Sequence, residues 1–406
     1  MTEPFLQMFN DPNPLPTMHA LRASDPVHYV EPLFFWLITR HDDIKRLMYA
    51  PEDVSHIKHY WEFYSDPPEG SMRHWAEHNH MFTLGPDEHA RVRRLVASAF
   101  TPRAVHRMDQ QIQQVIDQLS APLQGREGGV IDVFGEFTNI VPNAVIGRIT
   151  GVDAGEDEAR FCKIAQSMIM AFRPLTPEHL LIEAENAMKE FSEWIRLLVR
   201  KRREQPSEDL VSDLIRAQDA DETLSEDDIV LLLMALISAG SEATGLVATN
   251  VVQTLLKDPV AWERLGNDRA LIRQSIDEIL RFSFKQPAGT MRFAVRDFEL
   301  RGKQIRKGQM LMLSVAGGNF DPEAIENPDQ LQLGVAPRNA ITFGSGPHYC
   351  VGNNLAREEI IRMVDRMLDL LPPGSTVCED LIEFADMGIF RQQTNLPVRV
   401  ALRAKG

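Results

Sequence analysis

Residues Phe343 to Arg357 read FGSGPHYCVGNNLAR, and the helical pattern LAREEIIRMVDRMLDLL follows. An apolar residue leads into a glycine-rich turn that presents Cys350. Glycine tolerates the tight backbone that brings amide N–H groups toward a sulfur. The positive end of a following helix adds to that field, and both effects favour the thiolate, the form that ligates metals. A competing reading makes Cys350 and His348 zinc ligands, but no second Cys/His pair with zinc-like spacing lies nearby. A lone buried cysteine is otherwise a small hydrophobe, so the loop around Cys350 carries the distinction.

Around that loop lies a chain of 406 residues with 44% apolar and 25% charged residues, enough for a large core with polar cover. The formal charge of -15 argues against non-specific nucleic-acid binding and broad attachment to anionic membranes. Three scattered cysteines, Cys162, Cys350 and Cys378, suit a reducing compartment better than a disulfide framework. The N-terminus carries acid and proline early and lacks a basic segment leading into an apolar one, so a cytoplasmic location is expected. The longest apolar run, Ile229 to Gly240, falls short of the roughly 20 residues of a membrane span.

Patterning predicts a strand at Phe34 to Thr39, a helix start after it, and a long, partly ordered loop from Tyr60 to His80. Helices then dominate to Lys257, including an amphipathic one over 178–203. Ser225 and Asp228 form a reciprocal cap opening a helix to Leu256, about 45 Å long. That helix is apolar on nearly all sides through its first turns and belongs inside the protein. After Met291, alternation with Gly302 and Gly308 at turns predicts short strands. These sheet segments are distant in sequence and bind both ends into one fold.

The cysteine segment closely resembles the haem-binding loop of the cytochrome P450 family, F-G-x-G-x-H-x-C-x-G-x-x-L-A-R, and meets every fixed position. The resemblance covers nearly the whole chain. It implies one domain over residues 1–406, mainly α with small β-sheets, with a long distal helix over a buried haem b. Cys350 is then the iron ligand, with Phe343, Gly344 and Gly352 beside the cofactor. Glu278 and Arg281 match the family's E-x-x-R, whose implied role is structural. His89 and Arg93 match H-x-x-x-R and, with Arg292, are implied partners of the haem propionates; paired cations suit carboxylates at an apolar rim. The rim also departs from the family, with Val335 and Ala340 where an Arg and a His are usual, and Asn319-Phe320-Asp321-Pro322 in place of N-R-D-P. Arg338 and Asn339 are the nearby candidates to compensate.

On the oxygen side, Ala239 to Thr244 (AGSEAT) resembles A-G-x-[DE]-T-T. Glu242 matches the acid that brings protons inward; a structural pairing with a nearby base is the plainer reading. Ala243 stands where the family has a threonine, and Thr244 lies about 100° around the helix from it. The last proton must then come from water, Ser241 or a substrate hydroxyl.

Family positions imply substrate contacts at Met234, Ala235, Ala239, Ala288, Gly289, Thr290, Ile389 and Phe390, mostly small or apolar. Such a lining selects by shape and burial. Trp61, Phe63 and Trp75 either wall the cavity or are core. A terpenoid or steroid fits best as the substrate, oxidised with O2, and fatty acids and macrolide-like compounds are the alternatives. The chain has no flavin domain and no iron–sulfur cysteine set, so a ferredoxin and an NAD(P)H-dependent reductase are the implied electron donors. Arg91, Arg94, Arg103 and Arg107 would make a basic docking area for the acidic ferredoxin. A haem-binding or sensor protein with little turnover is the alternative, favoured by Ala243 and the altered rim.

Overall fold

The computed structural model describes residues 6–81, 83–152, 158–173, 176–220, 224–387 and 390–403. Their contacts group into two compact units, each assembled from separated stretches: residues 1–65, 250–350 and 382–394 in the first, and 66–249, 351–381 and 395–406 in the second. Among the described residues the architecture is mainly α with four small sheets.

The first unit is organised by a five-stranded sheet in the order Val27–Val30, Phe35–Ile38, Met310–Leu313, Thr290–Ala294, Val54–Ser55. Its central pair, Phe35–Ile38 with Met310–Leu313, is parallel. Alternation along a strand sends successive side chains to opposite faces. Thus Phe35, Leu37, Met310 and Met312 join one core cluster, while Ile38, Leu311 and Leu313 join another. A strand buried on both faces needs an unbroken apolar run, which Met310–Leu313 (MLML) supplies. The expected turn glycines are in place. Gly302 has φ +76 between the strands Phe298–Leu300 and Lys303–Ile305, and Arg301 before it is also left-handed. A two-residue turn with both φ positive matches strand twist.

The second unit is helical around one small sheet, in which Pro397–Arg399 pairs with both Val130–Asp132 and Thr376–Val377. The amphipathic helix is Glu178–Glu204. The long helix runs Glu226–Leu256, through Gly240 without a break. At its start Ser225 N–H donates to Asp228 Oδ2 at 2.8 Å, and Asp228 N–H donates back to Ser225 Oγ at 3.1 Å. Ile229 to Ile237 are all buried. It is the one helix among the described residues long and apolar enough to cross a membrane, and 78% of its apolar window is buried.

One expectation is corrected. Only the first half of the Tyr60 to His80 stretch lacks an α-helix; Met72–Asn79 is helical, because Ser71 Oγ accepts from the His74 amide at 3.1 Å and caps the first turn. Glu185 reinforces that end by accepting from the Met72 and Arg73 amides, both at 2.9 Å. Histidine and tryptophan give a short helix too little apolar periodicity to be seen.

Candidate functional site

In the first unit the cysteine loop is held by its own backbone. Gly344 N–H donates to Ile341 O at 2.9 Å, and Cys350 N–H donates to Phe343 O at 3.0 Å. Gly346 (φ +72) needs its missing side chain: a Cβ there would lie 2.8 Å from Met48 O. Phe343 meets Tyr349 edge-on at 6.5 Å between ring centroids, and His348 meets His56 in a tilted contact at 4.0 Å. The loop ends on a half-buried Cys350, and Gly352 directly precedes the helix Asn353–Leu370.

Arg292 sits on the strand Thr290–Ala294, 5% exposed. Its Nη1 donates to Met291 O at 2.8 Å, and no carboxylate pairs with it among the described residues. Burial pulls its pKa down from the usual guanidinium range to about 10. A buried guanidinium without an anion is costly, so the residue calls for one from outside the chain. A haem propionate has that chemistry, and in this respect the first unit fits the cofactor.

Glu278 and Arg281 form the expected pair, Nε to Oε2 at 2.7 Å and Nη2 to Oε1 at 2.8 Å. Neither Arg338 nor Asn339 takes the place of the arginine usual at position 335 beside this pair. The backbone does so: Arg281 Nη1 donates to Asn319 O and Pro328 O, both at 2.9 Å, and Glu278 Oε1 accepts from the Gln332 amide at 3.2 Å. Asn339 instead donates to Ala324 O at 2.9 Å, and Val335 is exposed.

Ala288, Gly289 and Thr290 are half-buried. Gly289 has a structural reason besides: a Cβ there would overlap Leu313 O. Trp61 packs on the core cluster 6.3 Å from Phe293, whereas Phe63 is exposed. Ile389 and the side chain of Phe390 lie outside the described residues.

In the second unit, His89 and Arg93 share a face of the helix Pro86–Ala97. His89 is 4% exposed, and burial, then Arg93, hold its pKa below the usual imidazole range. Along the long helix Met234 and Ala235 are buried, but Ala239 and Ala243 are exposed, four residues apart on one face. This stripe of methyl groups on a buried helix would accommodate a flat apolar group. Thr244 and Ser241 are buried, and Ser241 Oγ donates to Ile237 O.

Glu242 is buried and pairs with Arg173 at 2.8 Å. The sequence reading did not find Arg173, since no local pattern links positions 69 apart. Of the four arginines expected to dock a partner, Arg91 is engaged by Glu88, and Arg94, Arg103 and Arg107 are exposed.

Comparison with known proteins gives a consistent result. The Cytochrome P450 family pattern matches residues 34–371. Epothilone C/D epoxidase of Sorangium cellulosum is 30% identical over 356 residues, covering 86% of this chain and 83% of that one. Vitamin D(3) 25-hydroxylase of Pseudonocardia autotrophica is 28% identical over 398 residues, 97% and 95% of the two chains. Among solved structures, epothilone B-bound cytochrome P450epoK superposes with a TM-score of 0.87 at 27% identity, covering 98% of both chains.

Proposed function

The chain belongs to the cytochrome P450 family and is a monooxygenase, and we propose that it hydroxylates or epoxidises a bulky apolar molecule, a terpenoid or steroid first. The stripe Ala239 and Ala243 carries this reading, because small side chains on the long helix leave space for a large rigid substrate. Relatives named for epothilone and vitamin D(3) oxidation are of that bulky, apolar kind, and the first supports the macrolide-like alternative as well.

Haem b on the Cys350 thiolate would supply the oxygen activation, since thiolate electron density favours O–O cleavage. The chain's own residues do the rest. Arg292 would bind one propionate, and His89 with Arg93 the other. Ala288, Gly289 and Thr290, with Met234, Ala235, Ile389 and Phe390, would line the substrate space. Glu242 would take a proton from outside and pass it inward from its carboxylate when Arg173 lets go. Ala243 offers no hydroxyl, and the Ser241 hydrogen is committed to the Ile237 carbonyl. A water or a hydroxyl on the substrate is therefore the favoured source of the last proton. Electrons would come from a ferredoxin and its NAD(P)H-dependent reductase, docking in the cytoplasm on a face that includes Arg94, Arg103 and Arg107. One domain over residues 1–406 is part of the same reading, because each unit is woven from three separate stretches of chain.

The test is spectroscopic and then chemical. The reduced protein with carbon monoxide should show the long-wavelength Soret band of thiolate-ligated haem, and Cys350→Ala should abolish it. Terpenoids, steroids and macrolides are then screened for displacement of iron-bound water and for incorporation of label from 18O2. An unchanged spectrum in Cys350→Ala would sink the ligand assignment; no labelled product from any class would sink the substrate assignment.

A further inference from the structure

We propose that this protein carries a further metal site, in which Asp66, His74 and His78 hold one divalent transition-metal ion of the zinc class. All three residues belong to the second unit.

His74 and His78 stand four residues apart on the helix Met72–Asn79. That spacing puts two side chains on one helix face and lets two imidazoles share a metal. Their rings lie 4.3 Å apart, centroid to centroid. The backbone beneath them is fixed, because Ser71 Oγ and the Glu185 carboxylate accept from the first three amides of the helix. Lys189 lies 3.1 Å from Glu185, so that acid serves the helix and is not a candidate ligand.

His78 is oriented as metal-binding histidines are. Its Nδ1 meets His74 O at 2.8 Å. A carbonyl only accepts, so Nδ1 carries the hydrogen and Nε2 is left as the coordinating atom. That Nε2 faces Asp66 Oδ1 at 3.5 Å, long for a charge-assisted hydrogen bond of about 2.7–2.9 Å. The distance suits two ligands of one ion. Tetrahedral zinc holds nitrogen and carboxylate oxygen at about 2.0–2.2 Å, which places the two about 3.4 Å apart. A neutral Nε2 aims its lone pair at the carboxylate, and a cation between them turns repulsion into attraction. The side chains of His78 and Asp66 are 37% and 58% exposed, so an ion from solvent reaches the gap. Imidazole with carboxylate selects zinc, copper or nickel over calcium and magnesium, which take oxygen ligands. The bound ion would tie the chain before Pro67 to the last turn of the helix, and so restrain the stretch that carries Trp75.

The test uses tag-free, haem-loaded, chelator-treated protein titrated calorimetrically with zinc chloride. One equivalent should bind, and calcium at the same concentration should give no heat. Losing a group that merely supports a ligand commonly weakens metal binding about 10–100-fold. Asp66→Ala, His74→Ala and His78→Ala should therefore each weaken it at least about 10-fold, with the haem spectrum intact. His106→Ala, at an exposed histidine on another helix, should leave it unchanged. Zinc should also slow hydrogen exchange several-fold in peptides within residues 66–79, and should not do so in His78→Ala. If a variant loses haem, the exchange of the unsubstituted protein with and without zinc decides. Unweakened zinc binding in His78→Ala, or equal uptake of calcium, means that Asp66 and His78 are a plain ion pair on an acidic surface and overturns the proposal. Zinc uptake that leaves exchange over 66–79 unchanged overturns it as well.

Discussion

Two arginines of the first unit are both buried, and their surroundings differ in kind. Arg281 is fully enclosed and saturated by the Glu278 carboxylate and the carbonyls of Asn319 and Pro328. Phe320 lies under its guanidinium at 5.1 Å. Arg292 is nearly as buried, yet among the described residues its guanidinium donates only to the carbonyl of the residue before it. A cation whose partners all come from the chain stabilises the fold. A cation that lacks them stores a cost until something else arrives, and it marks a binding position.

The widest gap should appear on cutting the saturated pair. Arg281→Leu strands the Glu278 carboxylate in the core and should cost about 3–5 kcal/mol, a large share of a domain's roughly 5–15 kcal/mol. Urea unfolding followed by circular dichroism measures this; a loss below 1 kcal/mol would erase the distinction. Arg292→Leu should behave oppositely. With its pKa lowered to about 10, the charge destabilises the haem-free chain at every pH below that value, and the penalty fades as pH rises above it toward the ordinary guanidinium pKa of the unfolded chain. Removing it should therefore stabilise haem-depleted protein by up to about 3 kcal/mol at pH 7. The same change should speed haem transfer to an acceptor globin about 10- to 100-fold, through loss of charge-assisted hydrogen bonds. Unaltered transfer would remove Arg292 from the cofactor site.

Two more exposed arginines extend the series downward. Arg173, 27% exposed, faces a Glu242 side chain that is 7% exposed. Arg173→Ala should cost about 1–3 kcal/mol, and should raise the solvent isotope effect and the peroxide formed per NADH if Glu242 moves protons. A stability loss with unchanged isotope effect and peroxide yield would leave the pair merely structural. Arg91, half-buried against an exposed Glu88, should be worth less than about 1 kcal/mol and should fade in high salt. A larger, salt-insensitive loss in Arg91→Ala would show that exposure does not govern the series.

This contrast also explains what the sequence disclosed. Arg281 was legible because its partner stands three residues away, and the Ser225–Asp228 cap was legible for the same reason. The cysteine loop is likewise one continuous segment with its glycines at fixed spacing. Arg173 with Glu242 and His56 with His348 join residues far apart in the chain, and no local pattern announces such pairs. The carbonyls around Arg281 escaped notice because a backbone group has no residue-type signature. Gly289 was read as a substrate contact, and the Leu313 carbonyl gives its small size a second cause. The helix Met72–Asn79 was missed because its cap, Ser71, precedes a segment rich in histidine rather than in apolar repeats.

The parallel pairing of Phe35–Ile38 with Met310–Leu313 has a consequence for biogenesis. A strand made early must wait on the ribosome until most of the polypeptide has emerged before its neighbour exists. Contacts that close such long loops slow folding, and an unpaired apolar ribbon invites aggregation meanwhile. Recombinant yield should accordingly rise with slower translation, cooler growth and added chaperones, whether or not haem is plentiful.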